Sequence, residues 1–272
     1  MLPAAFKVHI IPGYITNIFL LEYNHGLLLL DCGAVNDVRR IEDFCWQELH
    51  CSPTEIKLAV VTHIHPDHSG GATLLREKFG IPIAAHKDLD RWYAGLGGFI
   101  QKSLDCIMMQ SVAWRTRGKL EKAFFPSKIQ ADFRLEDGDE LPYFPDWSVI
   151  SVPGHTSHDL VLYNAQASLL YVADCFLEVK GKFRLPLPVM FPEQLHSSYA
   201  RMAALNVSSI LLAHGQVRYD NIPADFFLSL QNLLQERPNK LTHQIKCLSI
   251  YSPEWCRQSL LQRKAKRHHG NL

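Results

Sequence analysis

Residues 62–71 read Thr-His-Ile-His-Pro-Asp-His-Ser-Gly-Gly, directly after the apolar run 56–61. Three histidines and one aspartate (His63, His65, Asp67, His68) therefore fall within six positions at the end of a strand-like segment. In extended backbone, residues i and i+2 point the same way, so His63 and His65 can offer imidazole nitrogens to one cation. Pro66 cannot continue a ladder and turns the chain. Asp67 and His68 then sit at a loop or helix start beside the same spot. Ser69-Gly70-Gly71 permits close backbone approach and opens the amphipathic run 72–79. Imidazole and carboxylate donors suit Zn, Fe, Mn or Ni better than Ca or Mg. A chain with this segment must fold so that further ligands reach the end of that strand.

Three later apolar runs each end in such a ligand. Residues 149–154 precede His155, residues 169–173 precede Asp174, and residues 210–213 precede His214. Open sheets gather their sites at strand ends. With Asp31 after the run 27–30, these residues resemble the signature of the metallo-β-lactamase-fold hydrolase superfamily: an early Asp, then H-x-H-x-D-H, then His, Asp and His. The resemblance spans about residues 5–216. It implies two divalent cations, zinc in the first instance with Mn and Fe as alternatives. His63, His65 and His155 would hold one, and Asp67, His68 and His214 the other. Asp174 would bridge them, with a water or hydroxide as second bridge. Asp31 would orient a ligand imidazole through its other ring N–H.

The implied chemistry is hydrolysis of an ester-like bond, with Asp67 also able to accept a proton or steer the attacking water. A Gly-x-Ser-x-Gly nucleophile motif, a P-loop and a Gly-x-Gly-x-x-Gly turn are all absent from the sequence. True β-lactamases of the superfamily generally lack the bridging aspartate, so the resemblance points to the glyoxalase-II-like or lactonase-like branch. Two departures bear on the substrate. The glyoxalase-type Gly-His-Thr-Pro-Gly-His is here Gly154-His-Thr-Ser-His-Asp159, with the second histidine out of register. The tyrosine that the best-known lactonases carry three residues after the bridging aspartate is here Leu177. The expected substrate is a small, partly hydrophobic lactone, thioester or ester. A phosphodiester, iron-dependent redox chemistry and a non-catalytic binding role are the alternatives. Tyr93, Tyr171, Tyr199, Tyr219 and His158 are candidate oxyanion stabilisers.

The order of elements supports an α/β fold, a four-layer αββα sandwich. Strands are expected at 7–12, 16–23, 27–31, 56–62, 81–86, 132–136, 147–152, 160–163, 169–173 and 209–213, and helices at 38–49, 72–79 and 193–205. Residues 1–216 form the expected catalytic domain, with a helical insertion at about 87–130 and a helical C-terminal extension at 217–272. The insertion is rich in large apolar residues, which fits a lid over the metals, ordinary core or a dimer face. Its Gly95-Leu-Gly-Gly98 reads as a flexible hinge. Arg184 is a candidate for a substrate anion.

The net charge of +1 gives no expectation of nucleic-acid or membrane partners. A small-molecule substrate is the expected partner, and a homodimer is compatible with the sequence. Seven scattered cysteines without Cys-x-x-Cys spacing, and no leader or spanning run, give a cytoplasmic expectation. Cys175 adjoins Asp174 but is expected to face the core.

Overall fold

The computed structural model describes residues 6–235, 244, 247 and 250–269. Parts of the expected C-terminal extension therefore lie outside the described residues. Strands β1 (Phe6–Pro12), β2 (Asn17–Tyr23) and β3 (Gly26–Leu30) pair antiparallel. β3 shows how one chain serves two cores. Its leucines alternate: Leu28 and Leu30 enter one buried cluster, Leu27 and Leu29 another. Both faces of the sheet must therefore be covered, which period-2 alternation alone would not require.

After helix α1 (Asp37–Gln47), β4 (Ile56–Val61) runs parallel to β3, followed by β5 (Ile83–His86) and β6 (Phe133–Leu135), also parallel. This first sheet has the order β1-β2-β3-β4-β5-β6. Between β4 and β5 lie the short α2 (Pro66–Ser69) and α3 (Ala72–Phe79). Between β5 and β6 lies the 23-residue α4 (Gly95–Arg117).

The second sheet draws on β7 (Glu140–Leu141), β8 (Phe144–Ser151), β9 (Leu160–Asn164) and β10 (Leu169–Tyr171). A separate hairpin, β11 (Leu177–Val179) with β12 (Lys182–Arg184), and helix α5 (Pro192–Ala203) follow. β13 (Ser209–Leu211) and β14 (Arg218–Asp220) complete a sheet of order β14-β13-β10-β9-β8-β7. β14 lies past residue 216 and pairs with β13. Helices α6 (Phe226–Gln235) and α7 (Pro253–His269) close the described chain.

The two sheets face each other across Phe19, Leu28, Leu58, Phe144, Trp147 and Leu162. Each fully buried leucine there contributes about 1.5–3 kcal/mol. The polar atoms of this layer are paired: the Trp147 indole donates to Tyr23 Oη (2.7 Å), and that hydroxyl donates to Asp146 (2.6 Å). On the outer side of the first sheet pack Val38 and Ile41 of α1 and Leu75 of α3. On the outer side of the second pack Leu195 and Tyr199 of α5 and Phe227 of α6. The result is the four-layer αββα sandwich.

Two differences from the sequence reading have physical reasons. β7, the β11–β12 hairpin and β14 have only two or three residues each, too few to show a hydrophobic period. The Gly95–Gly98 segment is not a hinge but the first turn of α4. A Cβ on Gly98 would sit 2.1 Å from the Tyr93 carbonyl carbon, so this glycine is required for close approach. We expect Gly98→Ala to destabilise the fold by about 1–3 kcal/mol in urea titrations. Helix propensity alone gives the opposite sign, because alanine exceeds glycine by about 1 kcal/mol in a helix interior.

Candidate metal centre

The seven candidate metal ligands and Asp31 lie at one end of the sandwich, where β3, β4, β8, β10 and β13 finish. Backbone bonds join the two sheets there. Leu160 N donates to Thr62 O (3.1 Å) and Asn17 N to Ala213 O (2.7 Å). β4 ends at Val61, so His63 and His65 stand just beyond the strand. His65 is still extended, and their rings remain neighbours at 4.8 Å. Pro66 occupies the first turn of α2, where its missing N–H costs nothing. α2 then carries Asp67 and His68 into the site. A Cβ on Gly71 would lie 2.3 Å from Cys32 O, which is the close approach that Ser-Gly-Gly permits.

The candidate ligand atoms form two groups. His63, His65, His155 and Asp174 each bring one atom to a common spot, and Asp67, His68 and His214 to a second. Asp174 spans both. Its Oδ2 is 3.5 Å from His155 Nε2 and 3.8 Å from His63 Nε2, while its Oδ1 is 3.1 Å from His68 Nε2 and 3.2 Å from His214 Nε2. Asp67 Oδ2 lies 3.3 Å from His214 Nε2. Ala173, at φ 46°, turns Asp174 into this position in a region that non-glycine residues seldom occupy.

The outer nitrogens are anchored. His155 Nδ1 donates to Pro188 O (2.7 Å), and His214 Nδ1 to Ile15 O (3.1 Å). A carbonyl can only accept, so each of these rings turns its Nε2 lone pair inward when neutral. His68 Nδ1 is 2.8 Å from Asp31 Oδ2, which orients its Nε2 in the same way. Asp31 also accepts from Thr62 N (2.8 Å), Thr62 Oγ1 (2.9 and 3.0 Å) and Tyr171 Oη (2.6 Å). Thr16 Oγ1 donates to Asp67 O (3.2 Å), so the 13–16 loop supports both Asp67 and His214.

These residues fit a cation by a direct test. His63 Nε2, His68 Nε2 and Asp174 Oδ1 are buried and have no well-aligned hydrogen-bond partner, a costly arrangement unless something else satisfies them. The electrostatics agree. Burial raises the Asp174 carboxyl, but His68 and His214 outweigh it and hold it well below the usual range. Asp67 is held low in the same way, chiefly by His68 and His214 against burial. Burial lowers His214, yet Asp174 and Asp67 push it up to about 10, and His68 is raised well above its ordinary value. Without a metal, protons on these two imidazoles supply the positive charge the carboxylates demand. A divalent cation must displace them, so metal affinity should fall as pH falls. Across the centre, burial and the neighbouring imidazoles keep His63 neutral, and burial with His155 lowers His65 to about 3.

One contributor escaped the sequence reading. Asp105, on the inner face of α4, lies 3.7 Å from His65 Nε2 and accepts from Tyr93 Oη (2.7 Å) and Gln101 (2.8 Å). Burial pushes its carboxyl up to about 6. The signal was available: Gln101 and Asp105 share a helical face with Ala113, the face that is buried. His158 Nε2 accepts from Ile64 N (3.2 Å), the amide between His63 and His65, and so braces the motif. Tyr93, Tyr171 and Tyr199 spend their hydroxyl protons inside the protein, on Asp105, Asp31 and Cys175 O. They are not available as oxyanion donors. Cys175 faces the α5 side of the second sheet and is buried, which pushes its thiol up. Arg184 is exposed on the β11–β12 hairpin, and Leu177 is half-buried there.

The family model of the metallo-beta-lactamase superfamily matches residues 11–214. The chain belongs to the metallo-β-lactamase superfamily. With its His/Asp cluster, it is a metal-dependent hydrolase. It is similar to the probable metallo-hydrolase YflN of Bacillus subtilis (strain 168), at 20% identity over 229 residues, 78% of this chain and 85% of that one. Solved structures share the fold. An archaeal metallo-beta-lactamase superfamily protein from Sulfolobus tokodaii aligns with TM-score 0.62 and 16% identity, over 92% of this chain and 96% of that one. A metallo-beta-lactamase family protein from Thermus thermophilus aligns with TM-score 0.59 and 20% identity, over 85% of this chain and 80% of that one.

α4 brings the Asp105 carboxylate to 3.7 Å from Nε2 of His65, a candidate metal ligand. Asp105→Asn is expected to preserve folding while weakening metal affinity by about tenfold or more, measured by competition with a chromophoric chelator.

Proposed function

We propose that this hydrolase works with two divalent cations, zinc in the first instance. His63, His65 and His155 would hold one, Asp67, His68 and His214 the other, with Asp174 shared. The reaction is cleavage of an ester-like bond (lactone, thioester or ester) in a small, partly hydrophobic substrate. The observation that carries this reading is Asp174, whose two oxygens turn to different histidine groups. Two cations held close together need such a shared anion. When bound, they supply a nucleophile from water at neutral pH and polarise the attacked oxygen.

The chain's own residues do the rest. Asp31, Pro188 O and Ile15 O fix the imidazole tautomers before substrate arrives. Asp67 has a carboxylate oxygen facing the centre and a depressed pKa, which suits it to steer water and to receive a proton only transiently. The buried α2 loop keeps bulk water from the far side of the ligands. Leu177 leaves no phenol at the position where the best-known lactonases place one.

The test joins metal analysis to a substrate panel. Untagged protein should carry about two zinc equivalents by elemental mass spectrometry. It should hydrolyse lactones, thioesters or aryl esters with kcat/KM roughly 100-fold or more above that for a bis-aryl phosphodiester. Phosphodiester preference would overturn the assignment of the bond. One iron per chain without a second metal would overturn the dinuclear hydrolase reading altogether.

A further inference from the structure

The chain carries a net charge of only +1, but the fold segregates that charge. Residues 95–128, which include α4, hold six Lys/Arg and two acids, Asp105 and Glu121. Both acids are turned inward: Asp105 is 4% exposed, and the Glu121 side chain is 6% exposed and paired with Arg40. Lys102 is also withdrawn, donating to Phe125 O (2.9 Å) beneath the Phe124 ring. The charges left in solvent are Arg115, Arg117, Lys119, Lys122 and Lys128, all cations. α7 begins against the first turns of α4, where Tyr251 N meets Gln101 and a Cβ on Gly97 would strike Tyr251 O. Its first acid, Glu254, is 4% exposed and paired with Arg257.

α4 also carries an exposed apolar stripe. Along α4, Leu96, Ile100, Ile107 and Trp114 follow one another at spacings of four, seven and seven, so they form one stripe opposite the buried face. Leu96 is 78% exposed, and Ile107 and Trp114 are each 61% exposed. Phe124, in the segment after α4, is also exposed. Single exposed apolar residues are ordinary, whereas a continuous stripe with an aromatic end is a contact surface.

We propose that α4 and the cationic residues around it dock this protein peripherally on an anionic lipid bilayer. Charge decides among the occupants. A second copy would bring cations against cations, with no exposed acid on either side of the contact. A nucleic acid would use the cations but leave the aliphatic stripe in water. An anionic bilayer satisfies both, since its headgroups meet Lys and Arg while Leu, Ile and Trp enter the interfacial region. The contact is superficial, because no helix among the described residues is long and apolar enough to cross a membrane. α4 also touches the metal centre from its inner face through Asp105, so docking would place the centre just behind the lipid-facing helix.

The test uses the full chain and does not depend on turnover, so it stands whatever bond the centre cleaves. The protein is sedimented with vesicles of phosphatidylcholine alone, and with vesicles in which about a quarter of the lipid is phosphatidylglycerol. Binding to the anionic vesicles at low salt should exceed binding to the neutral ones by at least tenfold and should fall with added salt. Ile107→Asp, at a position open to solvent, should weaken binding by more than about tenfold with an unchanged circular dichroism spectrum. Arg115→Gln with Arg117→Gln should weaken it roughly 30-fold. Absence of binding to both vesicle types would overturn the proposal, as would anionic binding that Ile107→Asp leaves intact. A dimer in sedimentation equilibrium that Ile107→Asp dissociates would instead assign the stripe to a second copy, and a phosphate-rich duplex that outcompetes anionic vesicles would assign it to nucleic acid.

Discussion

Asp174→Ala should reduce bound metal from about two equivalents to one or fewer, and lower kcat/KM by roughly a thousandfold. The carboxylate approaches four imidazoles, at 3.1–3.8 Å, and divides its oxygens between the two ligand groups. No neighbouring side chain can replace it: Asp67 faces the His68 and His214 side. The variant should still fold, because removing this buried charge also removes an anion that the metal-free site must neutralise with protonated His68 and His214. Elemental analysis and single-substrate kinetics read the two effects separately. An Asp174→Ala protein that keeps both metals and its activity would remove the basis of the dinuclear reading.

Asp31→Ala should cost about 3–5 kcal/mol of folding stability, together with a 10- to 100-fold loss of metal affinity. Asp31 is 2% exposed and accepts from a backbone amide, a threonine hydroxyl, a tyrosine hydroxyl and the His68 ring. Truncation leaves all four without their acceptor in a place water does not reach, and it frees the His68 ring to turn. Its backbone, at φ 59°, adds a penalty for alanine that asparagine largely escapes. Asp31→Asn should therefore retain more stability than alanine while still losing metal affinity, because an amide cannot accept from every one of these donors. Urea titrations and chelator competition on both variants separate the backbone contribution from the acceptor contribution.

The legible part of this protein is the part with a local pattern. The sandwich showed in apolar runs such as 27–30 and 56–61, since strands buried on both faces read as continuous hydrophobic segments. The His/Asp cluster showed because histidines and aspartates recur at the ends of those runs in a fixed order. Asp105 was harder to see. It is one acid in a 23-residue helix, and only its position on the buried face distinguishes it. The Gly95–Gly98 segment was misread because sequence cannot tell a glycine needed for flexibility from one needed for close packing. The backbone of Tyr93 settles that at Gly98.

Sequence by itself determined the chemistry available here: seven histidine and aspartate side chains at the ends of apolar runs, and no serine nucleophile motif. These are properties of side-chain type and order along the chain. Tertiary structure alone decided which nitrogen of each histidine faces inward, which acids are hidden and which cations remain in solvent. Those outcomes depend on contacts between residues far apart in the chain, such as His155 with Pro188, His214 with Ile15 and Arg40 with Glu121. No local pattern encodes them, because burial and partner choice are set only when the two sheets and α4 close over the same end.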